Sequence, residues 1–596
     1  MNNNFLDYYL KNLHYIKSSA SDFAKNFPKI ASRLDISQFD CEDPFVERLL
    51  EGSAFLAARI DEGINSNFTN ILESVLNSLS SKSLCPIPSC AILELDIKQD
   101  ELDTCLEITR DEFFDFKLDF SSVLCRYRPM WQSFLYPFKI DKLQYVDKDL
   151  QTYAVAEDVK SLLILSLSTS LNLNENFDFI DFYINQTESN ASLILSYLIS
   201  NLDCVYLRQD DKIYSSKDAK VSLLALDEEL RYLDSYTKEL YSLLAFEEYF
   251  SYPNLFKFFR LKNLKELFKN LNSGGFELIF AFKKSSFDIK NIISTDSIKI
   301  NYIALINLFK KRTNKSFFEP KFSYHIVPDT LNTNDYEVYD VESVNFYDDN
   351  TSLLFSAKPF YYTDNELVLE QNYDYFSTHR KSKDLNSSNR SSYVGEDVFV
   401  SIAGEKYNEK IDKIYQFDAD ITCTNRDLPL FLKEGHSAIF TNKYIKEAIL
   451  HSFPSKPKTS LLSSKDEWQR LNHIMINLSN ILWQDSSNLL HIIRKIIKSY
   501  STLALEEIER ILNSILSIEV NTKNFRFIDD NNIFYEQGFS LDVLFSEQKM
   551  KDVGYFVFAN VLWNFFRFFS PLNSHIEMNL YTEEQGFVKR WTTLDS

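Results

Sequence analysis

The sequence is poor in glycine and carries none of the glycine-rich patterns that bind phosphate groups. Ten glycines occur in 596 residues, and they form neither GxxxxGK[ST] nor GxGxxG. The HExxH pattern of zinc proteases and the GxSxG pattern of hydrolase nucleophiles are missing as well. These absences argue against a nucleotide-binding protein, a zinc protease and an α/β-hydrolase.

Cysteine and histidine are too scattered to predict a disulfide framework or a metal site. The seven cysteines form no CxxC pair, and the eight histidines have no metal-ligand spacing. This usage is typical of reduced thiols in a cytosolic protein. Acidic pairs such as Glu506-Glu507 fall on predicted solvated helix faces, where charge is ordinary. We therefore expect no metal, no cofactor and no catalytic residue.

The sequence also lacks a long apolar run and an excess of basic residues. The most apolar stretch, residues 555–569, is shorter than the roughly 20 residues of a membrane-spanning helix, and the N-terminus does not resemble a signal peptide. Lys and Arg number 64 against 85 Asp and Glu, a net charge of −21. Because such a surface repels phosphates, we expect no nucleic-acid partner. We expect a soluble protein that contacts other proteins.

Aromatic residues, in contrast, are abundant, with 51 Phe and 33 Tyr. An A+T-rich genome would enrich both residues without any structural reason. Alternatively, some of them anchor protein interfaces, where aromatic side chains are enriched. Composition does not decide between these two interpretations.

The chain is too long for one core, and its patterns predict a multidomain α+β protein. We place an N-terminal helical region at 1–90, a middle α+β domain at 91–330, a β-rich domain at 331–460 and a C-terminal α+β domain at 461–596. The polar stretch at 329–335 marks one boundary. Alternating residues predict strands at 91–97 and 116–120, and helical spacing predicts helices at 189–201 and along 218–250.

The most informative stretch runs from Asp40 to Pro88. Asp43 is a good N-cap and Pro44 suits the first helical position. A second helix is predicted over residues 71–79. An apolar stripe at helical spacing follows Pro44 and needs a partner, within this chain or on another one; its members are Phe45, Leu49, Leu56, Ile60 and Ile64.

This stretch resembles the N-terminal signature of a known family. The matching segments are Cys41-Glu42-Asp43-Pro44, Val46-Glu47-Arg48-Leu49, Phe55-Leu56-Ala57-Ala58-Arg59-Ile60 and Pro86-Ile87-Pro88-Ser89. A later segment, Thr424-Asn425-Arg426-Asp427-Leu428-Pro429, is similar to the TNRDLP segment of the same family, where a strand ends in a turn stopped by proline. The family is TssF, also called VasA or ImpG, the baseplate wedge subunit of bacterial type VI secretion systems.

The resemblance implies an elongated structural subunit without enzymatic activity. In that family two copies pair with one TssG through their N-terminal helices. Six such wedges ring the spike protein VgrG and contact TssE and TssK, at the cytoplasmic face of the inner membrane, which the baseplate reaches only through a membrane complex. The candidate interface residues are Phe45, Leu49, Leu56, Ile60, Ile64, Asn425, Arg426 and Asp427.

Two alternatives remain at this point. A wedge protein of a phage or extracellular contractile tail shares this architecture. An enzyme or a secreted effector belongs to a different class and would require a nucleophile or a metal cluster, which the sequence does not display.

Overall fold

The computed structural model describes most of the chain between residues 3 and 593. The described residues are 3–31, 44–79, 84–102, 105–153, 155–169, 178–210, 212–227, 230, 238–269, 271, 273–360, 374–383, 390–459, 471–472, 486–501, 503, 505–529, 532–568 and 574–593. The predicted N-cap Asp43 lies outside them. Contacts divide the chain into two compact units, a first unit of Met1–Leu84 with Leu462–Asn472 and a second unit of Cys85–Leu461 with His473–Ser596. The domain boundaries predicted inside the second unit stay predictions.

The first unit is helical, with α1 (Asn3–Asn26), α2 (Pro28–Ala31) and α3 (Pro44–Leu79). α1 packs along α3, and Asn12 donates a hydrogen bond to Asp61 at 2.7 Å. The prediction of two helices between residues 44 and 79 is wrong, because α3 is one helix of 36 residues. No proline interrupts it, and a single glycine such as Gly63 costs a helix only about 1 kcal/mol.

The second unit contributes the strands and the remaining helices. Its strands are β1 (Cys90–Ile97), β2 (Leu106–Ile108), β3 (Phe114–Phe116), β4 (Cys125–Pro129), β5 (Ser133–Leu135), β6 (Lys139–Val146), β7 (Ser161–Thr169), β8 (Phe179–Ile184), β9 (Leu202–Gln209), β10 (Lys212–Ser216), β11 (Lys220–Leu223), β12 (Phe258–Lys262), β13 (Gly274–Phe282), β14 (Ile298–Lys299), β15 (Tyr302–Ile306), β16 (Phe309–Arg312), β17 (Ser316–Phe317), β18 (Tyr324–Ile326), β19 (Glu337–Tyr347), β20 (Leu353–Pro359), β21 (Asp374–Ser382), β22 (Glu396–Ala403), β23 (Gln416–Thr424), β24 (Ile445–Leu450), β25 (Ile515–Asp529), β26 (Asn532–Phe545), β27 (Ile576–Thr582) and β28 (Gly586–Thr592). Its helices are α4 (Glu188–Asn201), α5 (Lys238–Ser251), α6 (Lys265–Phe268), α7 (Phe287–Ile292), α8 (Glu405–Lys410), α9 (Ser486–Tyr500), α10 (Leu505–Ser514) and α11 (Tyr555–Phe568).

Three sheets build the middle of the second unit. Their strand orders are β24-β1-β15-β4-β3, β10-β9-β13-β7-β6 and β11-β12-β8-β14. The predicted strand at 91–97 and the predicted helix at 189–201 are confirmed by β1 and α4. The long helix predicted along 218–250 is wrong over its first part, because Lys220–Leu223 is a strand that pairs with β12. The strand predicted at 116–120 ends at Phe116, and a turn follows.

An eight-stranded sheet follows, with the order β16-β23-β19-β20-β21-β22-β18 and β17 paired to β23. Its core includes Phe346, Val344 and Ala419, which are almost fully buried. β23 ends at Thr424, and the predicted turn at 425–427 leads into a short 3₁₀ turn at Leu428–Phe431. Leu428 and Leu432 belong to the core of the β1–β15 sheet. The turn therefore connects the eight-stranded sheet to the neighbouring five-stranded one.

The C-terminal part is an α+β module, in which the sheet β25-β26-β27-β28 packs against α11. Ser192 of α4 caps the start of α11, because its Oγ accepts hydrogen bonds from the backbone N–H groups of Phe556 at 3.2 Å and Val557 at 3.5 Å. Gly554 precedes the helix with φ +82°, and a Cβ there would lie 2.2 Å from the Cβ of Ser192. Only glycine fits this close, left-handed position.

Candidate interaction surface

The five apolar residues predicted as an interface lie on one exposed face of α3. Phe45 is 80% exposed and Leu49 is 70% exposed, and Leu56, Ile60 and Ile64 are 61–65% exposed. Their spacing of four, seven, four and four residues keeps them on one side of a helix that turns about 100° per residue. We call these five side chains the apolar face.

The opposite side of α3 is buried within the first unit. Ala54 and Ala58 have no exposed surface, and Leu72 and Leu76 are at most 3% exposed. α3 is therefore apolar on two sides, and α1 covers only one of them. A helix that is apolar on all sides is normally buried on all sides. Each large apolar side chain left in water forgoes about 1.5–3 kcal/mol of burial free energy, so the apolar face is energetically incomplete in the isolated chain.

Arginines border the apolar face on one side. Arg48 and Arg59 are both exposed, and they are 11 residues apart, which is close to three helical turns. The guanidinium of Arg59 lies over the rings of Phe5 and Phe55, at 5.1 and 5.8 Å from their centroids. The border therefore carries two arginine cations, one of which is ordered by aromatic contacts.

The second predicted group, Asn425, Arg426 and Asp427, is buried, with at most 3% of any of the three residues exposed. The Oδ1 of Asn425 accepts hydrogen bonds from the backbone N–H of Arg126 at 2.8 Å and from the amide of Asn307 at 2.9 Å. Its own N–H donates to Asn307 at 2.8 Å. Asn425 thus satisfies donors and acceptors from two other segments.

Arg426 and Asp427 complete the turn. Arg426 has φ +50°, a left-handed conformation that is uncommon for a residue with a side chain, and its Nη2 donates to the carbonyl of Val394 at 2.8 Å. Asp427 accepts from Arg390 at 2.8 Å and from Ser391 at 2.7 Å. The turn has an internal structural role. The interface role expected for its residues stays a prediction.

A buried carboxylate pair next to this turn was not predicted from the sequence. Glu337 opens β19 and Glu396 opens β22, and each is 2% exposed. Glu337 accepts hydrogen bonds from the backbone N–H of Glu396 at 2.6 Å and from the hydroxyl of Tyr393 at 2.7 Å. Arg380 donates to Glu396 at 3.3 Å. Burial raises the pKa of Glu337 to about 7. Each is a single Glu at the start of a strand, so no sequence pattern marks the pair.

Three further findings concern metal binding, membrane crossing and the cysteines. Among the residues that the structure describes, no group of three or more His, Cys, Asp or Glu side chains could hold a metal ion. In the same part of the chain, no helix combines the length and the apolar character that crossing a membrane requires. Cys125, Cys204 and Cys423 are buried free thiols.

Two solved structures share this fold over almost the whole chain. One is described as the "Structure of the type VI secretion system TssK-TssF-TssG baseplate subcomplex revealed by cryo-electron microscopy"; it matches with a TM-score of 0.70 at 18% identity and covers 92% of this chain and 98% of that chain. The other, "The baseplate complex from the type VI secretion system", matches with a TM-score of 0.58 at 16% identity and covers 98% of both chains. The fold is therefore that of a subunit of a secretion-system baseplate.

Sequence comparison identifies the family. The family model described as "Type VI secretion system, TssF" matches residues 1–594, so the chain belongs to the TssF family. The "Type VI secretion system component TssF1" of Pseudomonas aeruginosa is 24% identical over 613 residues, which are 99% of this chain and 98% of that protein. The resemblance and the α+β fold class inferred from the sequence are thereby confirmed. The chain is a structural component of a type VI secretion baseplate.

Proposed function

We propose that the apolar face of α3 packs against helices of a TssG-like subunit in an intermolecular bundle. The observation that supports this most directly is the exposure of five large apolar side chains on a helix whose other side is already buried. Monomeric proteins rarely expose contiguous apolar patches of this kind, and such patches mark protein–protein contacts. A related fold occurs in a complex whose description includes TssK and TssG.

Around this contact we propose the wedge role of the family. Two copies of the chain join one TssG-like subunit, and the wedge contacts TssK-like, TssE-like and VgrG-like proteins to start the assembly and contraction of sheath and tube. The wedge acts in the cytoplasm and reaches the inner membrane only through the membrane complex. This role consists of assembly and conformational change and involves no bond chemistry.

The buried turn at 425–427 supports a neighbouring surface in this proposal. Asp427 holds Arg390, whose guanidinium lies 5.8 Å from the ring of Phe120. Phe120 is 55% exposed and packs edge-on against Phe431. We propose that this small aromatic surface is the part of the region that a partner contacts, while the turn positions it from inside.

The experiment that tests the proposal is co-expression of the full chain with the TssG subunit of the same secretion system, followed by native mass spectrometry. We expect a stable particle with two copies of this chain and one TssG. Recovery of the chain as a soluble monomer that does not retain TssG would contradict the bundle and the wedge role together.

A further inference from the structure

Two glycines interrupt the apolar face of α3. Gly52 and Gly63 are 11 residues apart, so they lie on nearly the same side of the helix, about 16 Å apart along its axis. Gly52 lies between Leu49 and Leu56, and Gly63 lies beside Ile60 and Ile64. Each glycine therefore forms a notch between bulky apolar side chains, which are themselves at least 61% exposed.

The described residues give no steric reason for either glycine. A Cβ built on Gly52 or on Gly63 meets no atom within 4 Å, and both residues have ordinary helical backbone in α3. Glycine is nevertheless the least favourable residue for a helix interior after proline. No described residue fills either notch, and a contact with another chain would give glycine an advantage at these two positions.

The arginines that border the apolar face indicate which charge the partner surface should carry. Arg48 and Arg59 have the same 11-residue spacing as the glycines, and each lies about 40° around the helix from one of them. Both arginines are exposed, and Arg59 is held over two aromatic rings. A partner that covers the apolar face brings its own side chains close to these two cations, and carboxylates would complement them.

We propose that the apolar face receives an α-helix of the partner subunit that approaches most closely at Gly52 and Gly63 and places carboxylates opposite Arg48 and Arg59. This inference rests on the proposed function and specifies the chemistry of the partner element. Two close approaches about 16 Å apart require a shallow crossing angle, near the 20° class of helix packing and not the 50° class. Large side chains of the partner helix fill the notches as knobs fill holes.

The test replaces Gly52 in the full chain and measures binding to the TssG subunit of the same system. Leucine favours helices and has open space at this position, so Gly52→Leu should melt at the same temperature as the natural chain or higher. Its affinity for TssG should nevertheless fall at least tenfold, and Gly52→Ala should lose less. An unchanged or higher melting temperature together with a lower affinity for TssG would show that Gly52 serves a contact with a partner. A role of Gly52 within the chain would instead lower the melting temperature.

Glu51→Leu is the matched control, since it adds a similar side chain one residue away, about 100° around the helix. It should bind TssG as the natural chain does. The double variant Arg48→Glu/Arg59→Glu should weaken binding and reduce its salt dependence; stronger binding would overturn the assignment of carboxylates to the partner.

The outcomes also separate this inference from the proposed function. If Gly52→Leu binds TssG normally while Leu49→Asp/Leu56→Asp does not, the close helix crossing is wrong and the bundle stands. If neither variant loses binding, the bundle itself is wrong. If the natural chain alone forms a dimer that Gly52→Leu dissociates, the occupant is a second copy of this chain and the proposed partner helix is overturned.

Discussion

Asn425 and Asn307 bond each other in both directions, backbone to side chain and side chain to side chain, deep inside the second unit. The N–H of Asn425 donates to Oδ1 of Asn307 at 2.8 Å, and the amide of Asn307 donates back to Oδ1 of Asn425 at 2.9 Å. Asn307 follows β15 of the five-stranded sheet, and Asn425 follows β23 of the eight-stranded sheet. This exchange is therefore a direct polar connection between the two sheets.

Replacing Asn425 with alanine should destabilise the second unit. The change leaves the N–H of Arg126 and the amide of Asn307 without their common acceptor, and each buried unsatisfied group costs about 1–3 kcal/mol. We expect the free energy of unfolding in urea to fall by about 2–4 kcal/mol. Asn350→Ala, at an exposed turn, is the control and should change little. Unchanged unfolding of Asn425→Ala would argue against the structural role of the turn.

The buried Glu337 should make stability depend on pH in the neutral range. Its pKa is about 7 in the folded chain, well above the ordinary glutamate value of 4.5. Between these two values the folded state binds the proton and the unfolded state does not, so stability falls as pH rises from about 4.5 to about 7 and is then constant. The contribution is about 3 kcal/mol.

Glu337→Gln should remove the part of the pH dependence of stability that comes from Glu337. Glutamine stays neutral, so the variant should be more stable than the natural chain at pH 8 and similar to it at pH 5, as measured by chemical unfolding across that range. The exposed Glu519→Gln serves as control and should follow the pH profile of the natural chain. A Glu337→Gln profile with the natural slope would show that another group titrates.

Gly538 should not tolerate even alanine. A Cβ at this position would lie 2.0 Å from the backbone oxygen of His575 and 2.8 Å from the ring of Phe525. The oxygen cannot move freely, because it accepts a hydrogen bond from the N–H of Phe539 at 2.9 Å. We expect Gly538→Ala to lower the free energy of unfolding by about 3 kcal/mol or more. Gly275→Ala is the matched strand control, since its Cβ meets only the oxygen of Leu167 at 3.9 Å.

Leu49→Asp/Leu56→Asp should abolish binding to TssG and leave the isolated chain folded. Both side chains are at least 65% exposed, so charge at these positions disturbs no described core and removes only the surface that a partner would cover. Pull-down with TssG and circular dichroism of the isolated variant give the two readouts. Loss of helical signal in the isolated variant would mean that the face belongs to an internal core.

The strongly periodic elements could be predicted from the sequence, and the reasons are local. The start of a helix at Pro44 and the strand at 91–97 were predicted from patterns of period 3.6 and 2. Both are present, although the helix continues through the predicted break to Leu79. The apolar face was recognisable because the helical spacing of its five residues is a property of a single segment. The most apolar stretch of the sequence, residues 555–569, contains α11, in which Phe558 and Phe565 are buried.

The error in the helix predicted along 218–250 arose because distant residues decide the structure there. Residues 220–223 precede a run of leucines at helical spacing that begins at Leu226, but their backbone pairs with β12, about 40 residues later. The same holds for the site, because Glu337 is a buried acid only through Tyr393, Glu396 and Arg380, which come from other strands and loops. The open space beside Gly52, where a Cβ would meet no atom within 4 Å, likewise became visible only in the structure.

The cap that Ser192 supplies to α11 has a consequence for synthesis. The two partners of this bond are 364 residues apart, and α11 also packs its Phe558 and Phe565 against Tyr249 and Phe246 of α5. A nascent chain that has emerged only as far as residue 550 lacks α11, so the parts of α4 and α5 that pack against α11 are still exposed. Long-range contacts form slowly and exposed intermediates aggregate. The second unit therefore completes its fold only after residues 555–568 have emerged from the ribosome.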